Sequence, residues 1–197
     1  MVTIRSRGRL PHWEEDPATY FVTFRLADSL PLSARKKIEF ERRDILATAN
    51  AMQRNPSPAE RLRLEALFSK KVEAYLDAGS GQCHLANSEV AHMVAETLLH
   101  FDGMRYRICA WCLMPNHVHV VFRPLGRHAL ADILHTWKSF SASRANRILG
   151  RSGEFWQHEY YDHLVRDERD FYRVVRYVLE NPAKAKLADW QWSGVGA

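Results

Sequence analysis

Two histidines near the middle of the chain are the residues best suited to chemistry. They lie in the segment Pro115-Asn116-His117-Val118-His119, which an apolar run follows. Side chains alternate between the two faces of a strand, so His117 and His119 project from one face and Val118 from the other. Two imidazoles on one face bind a divalent metal if a third ligand comes from elsewhere. Two exposed strand histidines without any ligand are the simpler alternative.

The last predicted helix carries two further residues of the kind that such a site needs. Tyr177 and Asn181 are four residues apart, which places them on one helix face, and Pro182 is expected to stop the helix. The Asn181 amide is a candidate third ligand, and the Tyr177 side chain one turn earlier would then lie close to the metal. A core tyrosine and a helix-ending Asn-Pro pair explain the same residues.

The elements predicted around these residues form an antiparallel sheet with helices. Alternating patterns predict strands at residues 20–26, 105–113 and 117–122, and a tight turn joins the last two. Helical spacing predicts helices at 33–50, 60–76, from Asn87 or Ser88, at 130–149, and from Asp167 or Asp170 to about Glu180. The first 18 residues are interpreted as an extended arm. This order predicts an α+β fold with helices on one face of the sheet.

Length and composition predict a globular protein of one domain. The chain has 197 residues, of which 46% are hydrophobic and 26% charged, so residues 1–197 fit one domain with a helical insertion at about 32–78. No apolar run approaches the roughly 20 residues of a membrane span, and the N-terminal residues lack a signal peptide's apolar segment. Three cysteines fit a reducing compartment. A net charge of +5 favours polyanionic partners.

Basic residues and a pair of cysteines are the remaining candidates. Arg25 shares the predicted histidine face and is a candidate phosphate contact, although a lone exposed arginine is an equal alternative. Four further candidate DNA contacts follow the predicted strand pair, and a solvated helix face explains most of their charge: Lys138, Arg144, Arg147 and Arg151. Cys109 and Cys112 form a C-x-x-C motif, but positions i and i+3 of a strand are expected on opposite faces, which argues against joint metal binding.

Taken together, the motifs resemble a known family. The segment WCLMPNHVHVVF (111–122), followed by FWQHEYYDHLVRDERDFYRVVRYVLENPAKAKL (155–187), resembles the REP-associated tyrosine transposases. These are single-tyrosine HUH transposases of the insertion-sequence-200/605 type. HUH stands for histidine, hydrophobic residue, histidine, which 117–119 match, and the family's Tyr-x-x-x-Asn-Pro ending matches 177–182. The resemblance covers roughly residues 19–192.

The resemblance implies a ferredoxin-like antiparallel sheet, the HUH endonuclease fold, and a specific chemistry. Tyr177 is then the nucleophile that forms a 5′-phosphotyrosine link to single-stranded DNA, and His117, His119 and Asn181 hold Mg²⁺ or Mn²⁺. Tyr172 competes as nucleophile, but a five-residue offset puts it on a different helix face, away from Asn181. The activity implied is a metal-dependent DNA endonuclease and strand transferase that acts on hairpin repeat DNA (REP elements), in DNA transposition, recombination or repeat processing.

Several features of such a protein stay open at this point. The resemblance implies a bacterial, cytoplasmic enzyme that acts at the nucleoid, with no membrane partner, and leaves both a monomer and a homodimer possible. The main alternative is a domesticated protein that binds hairpin DNA without cleaving it. A metal-dependent RNA phosphodiesterase, which would hydrolyse its substrate and form no protein adduct, is a third class.

Overall fold

The computed structural model describes residues 3–7, 10–14, 18–67 and 72–196, and of the first two ranges it gives the backbone alone. The chain divides into two compact units, one of residues 28–82 and one of residues 1–27 with 83–197. The smaller unit contains the helical insertion expected at 32–78. That the chain forms one domain with this insertion stays a prediction.

The smaller unit is helical. Its helices are α1 (Leu32–Ala51), α2 (Pro58–Ala66) and α3 (Glu73–Asp77). Leu30, Ile38, Val72 and Leu76 form its buried apolar cluster. A reciprocal capping box starts α2, because Ser57 Oγ accepts from the Glu60 N–H and the Glu60 carboxylate accepts from the Ser57 N–H. The predicted helix at 60–76 is two helices in the described residues, since 68–71 lie outside them.

The larger unit contains a five-stranded sheet. Its elements are β1 (Thr3–Arg7), β2 (Leu10–Glu14), β3 (Tyr20–Arg25), α4 (Ser88–Leu99), β4 (Tyr106–Met114), β5 (His117–Pro124), α5 (Leu130–Ile148), β6 (Tyr161–Leu164), α6 (Glu168–Lys184) and β7 (Ser193–Gly194). The sheet has the strand order β6-β3-β5-β4-β7, and all of its pairs are antiparallel. The backbones of β1 and β2 pair as a separate antiparallel hairpin within the predicted N-terminal arm. Within the described residues, no helix is long and apolar enough to cross a membrane.

The succession β3-α4-β4-β5-α5-β6, in the spatial order β6-β3-β5-β4, is the ferredoxin-like arrangement. The predicted α+β class is therefore confirmed. Helices α4 and α5 share one face, where Val118, Val120 and Phe122 of β5 form the main core together with Leu134 and Trp137 of α5. The Phe122 and Trp137 ring centroids lie 4.8 Å apart. Burying these large apolar side chains is the main contribution to the stability of this unit.

Helix α6 lies on the opposite face of the sheet. Phe21 and Val121 project there and form a second apolar cluster with Val174 and Val178 of α6. The expectation that helices share one face thus holds for α4 and α5, and the third helix covers the other side. The prediction that Pro182 stops α6 is wrong, since the helix continues to Lys184. Pro182 lies in the last turn, where the loss of one N–H donor interrupts little of the helix.

An irregularity in β4 changes the environment of its two cysteines. The register of β4 against β5 shifts between Ile108 and Ala110, so the alternation of side chains is interrupted at Cys109. Cys109 and Cys112 therefore both contact the cluster under α6, which makes the expectation of opposite faces wrong. Burial raises the pKa of both thiols, that of Cys112 to about 12, so neither is a reactive thiolate.

Candidate active site

The two histidines of β5 lie at the centre of the sheet, on the face that α6 covers. Strand alternation places them together on that face, as predicted from the sequence. Their rings turn toward each other, with 2.9 Å between the Nε2 atoms of His117 and His119 and 4.5 Å between ring centroids. Both are buried, with exposed fractions of 1% and 0%. They are therefore not the exposed strand pair of the simpler alternative.

A polar partner holds the second nitrogen of each ring. The Oγ1 of Thr23 on β3, in register with His119, lies 2.7 Å from that residue's Nδ1. The Oδ1 of Asn116, in the turn before β5, lies 2.7 Å from His117 Nδ1. Phe21 stacks on the His119 ring with 5.6 Å between centroids. These contacts leave the two Nε2 atoms facing one another.

Burial makes both histidines neutral. It lowers the pKa of His117 well below the usual value, and the neighbouring His119 ring lowers it further. Burial also lowers the pKa of His119 to about 3. A buried imidazole loses the hydration that stabilises its charged form, so the neutral form dominates at neutral pH. Neutral imidazoles are the form that coordinates metal ions.

The predicted nucleophile lies beside this pair. Tyr177, on α6, packs edge-on against His119 with 5.3 Å between ring centroids, and against Phe21 at 5.7 Å. The Nζ of Lys184, two turns further along α6, lies 5.4 Å from the Tyr177 ring centroid. The competing Tyr172 is 62% exposed and packs only against the neighbouring Phe171 among the aromatic contacts of the described residues. The helix thus brings Tyr177, and not Tyr172, to the histidines.

The donor chemistry of this face fits a divalent cation. Two nitrogen ligands at a right angle, each about 2.1 Å from one ion, lie about 3 Å apart, close to the separation of the Nε2 atoms. Asn181, one turn after Tyr177, is 4% exposed and carries an amide oxygen. Among the described residues, no group of three His, Cys, Asp or Glu side chains could hold a metal. Any third protein ligand from the described residues would therefore be of another type, and the amide of Asn181 has the required chemistry.

The predicted basic residues lie at more than one place on the fold, although Arg25 and Lys138 are close enough for the charge of one to affect the other. Arg25 pairs in register with His117 on the neighbouring strand. Lys138, Arg144 and Arg147 belong to α5, which packs on the other face of the sheet. The Lys138 ammonium donates to the backbone oxygens of Gln157 and His158, at 2.8 and 2.6 Å, and burial lowers its pKa to about 8, with a contribution from the Arg25 charge.

The last of these basic residues, Arg151, follows α5. Its guanidinium donates to the Glu154 backbone oxygen at 3.0 Å and lies 5.9 Å from the Phe155 ring centroid. The Arg144 guanidinium lies over the Phe140 ring, 5.6 Å from its centroid, and Arg147 is exposed. These three residues are therefore positioned for a surface contact, at a different place from the histidine pair.

Sequence reasoning missed the polar residues that support the site. Thr23 falls on the histidine face by alternation, and Asn116 adjoins the motif, but residue type alone did not assign either a role. A third support joins β6 to the start of α6, where the Asp170 carboxylate accepts from His163 at 2.7 Å and from Arg173. Burial alone would raise the pKa of Asp170, but these donors hold it at about 2. No local pattern signals a pair seven residues apart across a loop.

Comparison with known proteins shows which class of protein this fold and site resemble. The family model described as "Transposase IS200 like" matches residues 84–181, a range that includes both histidines, Tyr177 and Asn181. Residues 84–181 are 98 of the 197 residues, just under half of the chain, and over this stretch the chain resembles this family of transposases.

Two similar proteins are described as REP-associated tyrosine transposases. The one from Escherichia coli K12 is 26% identical over 93 residues, which are 45% of this chain and 53% of that protein. A relative from Haemophilus influenzae is 26% identical over 102 residues, which are 45% of this chain and 58% of its own length. The chain thus matches little more than half the length of these curated relatives.

A solved structure has the same fold. It is that of a REP-associated tyrosine transposase bound to a REP hairpin, and it superimposes on this chain with a TM-score of 0.52. The match covers 96% of this chain and 82% of that chain, at 16% sequence identity. At this identity the likeness is one of fold.

Proposed function

We propose that this chain is a tyrosine transposase that nicks and rejoins single-stranded DNA at hairpin repeats through a covalent link to Tyr177. The observation that carries the proposal is the packing of the Tyr177 ring against His119, beside a second converging imidazole. The REP hairpin bound by the structural neighbour supports hairpin DNA as the substrate. Its place of action is then the bacterial cytoplasm, at the nucleoid.

The proposed reaction exchanges one phosphodiester for another. The Tyr177 phenol loses its proton as its oxygen attacks the phosphorus, and the bond from phosphorus to the 3′ oxygen breaks. The 3′ oxygen takes up a proton and leaves as a hydroxyl, so the exchange is balanced. The product is a 5′-phosphotyrosine, and a 3′-hydroxyl can attack it to rejoin a strand. Because the ester is exchanged rather than hydrolysed, rejoining needs no nucleoside triphosphate.

The histidines are suited to hold a cation rather than to accept the phenol proton. A free phenol has a pKa near 10, whereas the pKa of both histidines lies far below neutrality, so proton transfer to them is unfavourable. We propose that His117 and His119, with the amide of Asn181, hold Mg²⁺ or Mn²⁺. When bound, the cation polarises the scissile phosphate and offsets charge in the transition state.

Arg25 is the proposed DNA contact nearest to this site, because it adjoins His117 across the sheet. Its guanidinium suits a phosphate oxygen. Arg144, Arg147 and Arg151 are proposed to contact the DNA backbone away from the cleavage point. Lys138 is proposed with them, although its ammonium already donates to two carbonyl oxygens. The assembly as monomer or homodimer is left to measurement of mass in solution.

An adduct assay tests the proposal. The full chain is mixed with labelled hairpin oligonucleotides from repeats that flank its own gene, with Mn²⁺ or with chelator, and is run on a denaturing gel. Wild type should give a labelled band at protein mass that requires metal. Tyr177→Phe should abolish this band and bind the hairpin normally, because the substitution removes only one oxygen. Tyr172→Phe is the matched control and should keep the band.

The other outcomes separate the alternatives. Retention of the hairpin on a native gel without any adduct, across several repeat sequences, would indicate a domesticated binding protein. Cut products without a protein adduct would indicate a hydrolytic nuclease. An adduct that persists in Tyr177→Phe and disappears in Tyr172→Phe would move the nucleophile. Cleavage by His119→Ala with chelator present would show that the assigned ligands are wrong.

A further inference from the structure

The hydrogen bonds around the histidine pair fix where its protons lie. Two neutral imidazoles carry two N–H hydrogens on four ring nitrogens, and three contacts engage these nitrogens. The contacts are Thr23 Oγ1 with His119 Nδ1, Asn116 Oδ1 with His117 Nδ1, and the 2.9 Å contact between the Nε2 atoms. At such distances, each contact holds one hydrogen between its two atoms.

Only one arrangement satisfies all three contacts. The Asn116 Oδ1 can only accept, so His117 carries its hydrogen on Nδ1 and has a bare Nε2. His119 must then donate from Nε2 to that atom, which leaves its own Nδ1 bare. The Thr23 hydroxyl consequently donates to His119 Nδ1. Without metal, the two rings are therefore in opposite tautomers.

A cation bound by both rings requires a different arrangement. It needs a lone pair on each Nε2, which His117 already presents and His119 does not. His119 must move its hydrogen from Nε2 to Nδ1, after which Nδ1 donates. A hydroxyl can accept as well as donate, so Thr23 can serve both states by rotating its hydrogen away. The pair neither gains nor loses a proton, because one hydrogen changes its ring nitrogen.

We propose that Thr23 is a positioning residue whose hydroxyl reverses its hydrogen bond to His119 when the site binds a divalent cation, while Asn116 keeps His117 in the binding tautomer. This inference rests on the proposed metal site. By accepting from Nδ1, the Thr23 hydroxyl stabilises the tautomer of His119 that coordinates the cation, as polar partners of ligating histidines do in other metal sites. Loss of such a partner lowers metal affinity by about 10–100-fold.

Nitrogen NMR of the imidazoles tests the tautomers directly. Spectra of the full chain are recorded at fixed neutral pH, first with chelator and then with Mg²⁺, which is diamagnetic. Without metal we expect His117 as the Nδ1–H form and His119 as the Nε2–H form, and with Mg²⁺ both as Nδ1–H. A His119 already in the Nδ1–H form without metal would overturn the proposal, and so would Mg²⁺ binding that leaves its tautomer unchanged.

Affinity measurements on variants test the role of the hydroxyl. Mn²⁺ binding is measured by calorimetry for wild type, Thr23→Val and Thr23→Ser. The valine variant keeps the shape but has no hydroxyl, so its affinity should fall about 10–100-fold, whereas serine should restore it to within about threefold. Thr97→Val removes another buried hydroxyl, which bonds the Met93 backbone oxygen on α4, and should leave Mn²⁺ affinity unchanged.

The outcomes distinguish this inference from the proposed function. Equal Mn²⁺ affinity in wild type and Thr23→Val would overturn the role of Thr23 and leave the metal site in place. Absence of Mg²⁺ and Mn²⁺ binding in wild type would overturn the metal site, and this inference with it. An adduct without Tyr177 would overturn the nucleophile and leave the tautomer change standing.

Discussion

Acid should destabilise the larger unit because it buries two neutral histidines. An unfolded histidine has a pKa near 6.5, whereas burial lowers the pKa of His119 to about 3 and that of His117 well below its usual value. Below pH 6.5 these two histidines become protonated in the unfolded chain, whereas they stay neutral in the folded chain. The stabilisation from neutral burial is therefore complete above this pH and is lost as the pH falls.

The size of the effect follows from linkage. Each histidine costs about 1.4 kcal/mol of unfolding free energy per pH unit below 6.5, so from pH 7.5 to pH 5 one costs about 2 kcal/mol and the pair about 4 kcal/mol. This is a large share of the roughly 5–15 kcal/mol that stabilises a typical domain. Asp170, whose pKa is about 2, loses its stabilising charge only below about pH 4, outside this range.

Urea unfolding followed by tryptophan fluorescence measures the effect. All six tryptophans lie outside residues 28–82, so the signal reports the larger unit alone. Chelator is present throughout. His119→Asn removes one titrating group and should lose about 2 kcal/mol less than wild type between pH 7.5 and pH 5. The control Val120→Ala, a fully buried residue that does not titrate, should be less stable at every pH with the wild-type pH dependence.

The test is the difference between wild type and His119→Asn in the unfolding free energy lost on acidification. All other titrating groups are common to both proteins, so their contributions cancel. Equal losses of unfolding free energy in wild type and His119→Asn would refute the reasoning, because the histidine would then titrate alike in both states. A pH dependence of Val120→Ala that is as shallow as that of His119→Asn would also refute it, because any destabilised variant would then behave this way.

Three further changes have defined outcomes. Arg25→Ala should weaken binding of single-stranded DNA and reduce the slope of log affinity against log salt by about 0.7, one phosphate contact, in a salt titration; an unchanged slope would exclude the contact. Trp137→Ala should lower the unfolding free energy by about 3–5 kcal/mol in urea, because its ring is 1% exposed and its Nε1 donates to the Tyr106 hydroxyl at 2.9 Å; a loss below about 1 kcal/mol would contradict that burial. Asp170→Asn should be less stable than wild type at pH 7 but lose less on acidification below pH 4, which thermal melts at both pH values check.

The sequence predicted the three central strands, β3, β4 and β5, and the face of the histidines, because both depend on local periodicity. Strand β5 alternates cleanly, so His117 and His119 were placed on one face and their apolar neighbours on the other. The helix that carries Tyr177 was likewise found from its spacing. The metal ligands, the nucleophile and the DNA contacts stay predictions, since residue spacing does not measure binding.

Other features depend on tertiary packing, which periodicity does not report. Helix α6 covers the face of the sheet opposite to α4 and α5, and no local sequence pattern indicates which face a helix covers. The bulge at Cys109 altered the alternation of β4 by one residue, which no pattern of residue types signalled. Pro182 is tolerated because of its position in the last turn, which is known only once the helix end is known.

Helix α6 has a mechanical consequence for the proposed chemistry. Tyr177 and Asn181 lie one turn apart on this single rigid rod, whereas both histidines belong to the sheet. Any displacement of the rod therefore carries the nucleophile and the amide away together, and a strand joined to the tyrosine would travel with them. If the proposed site forms as assigned, a movement of α6 would therefore separate the nucleophile, the amide and a linked DNA end from the histidines together.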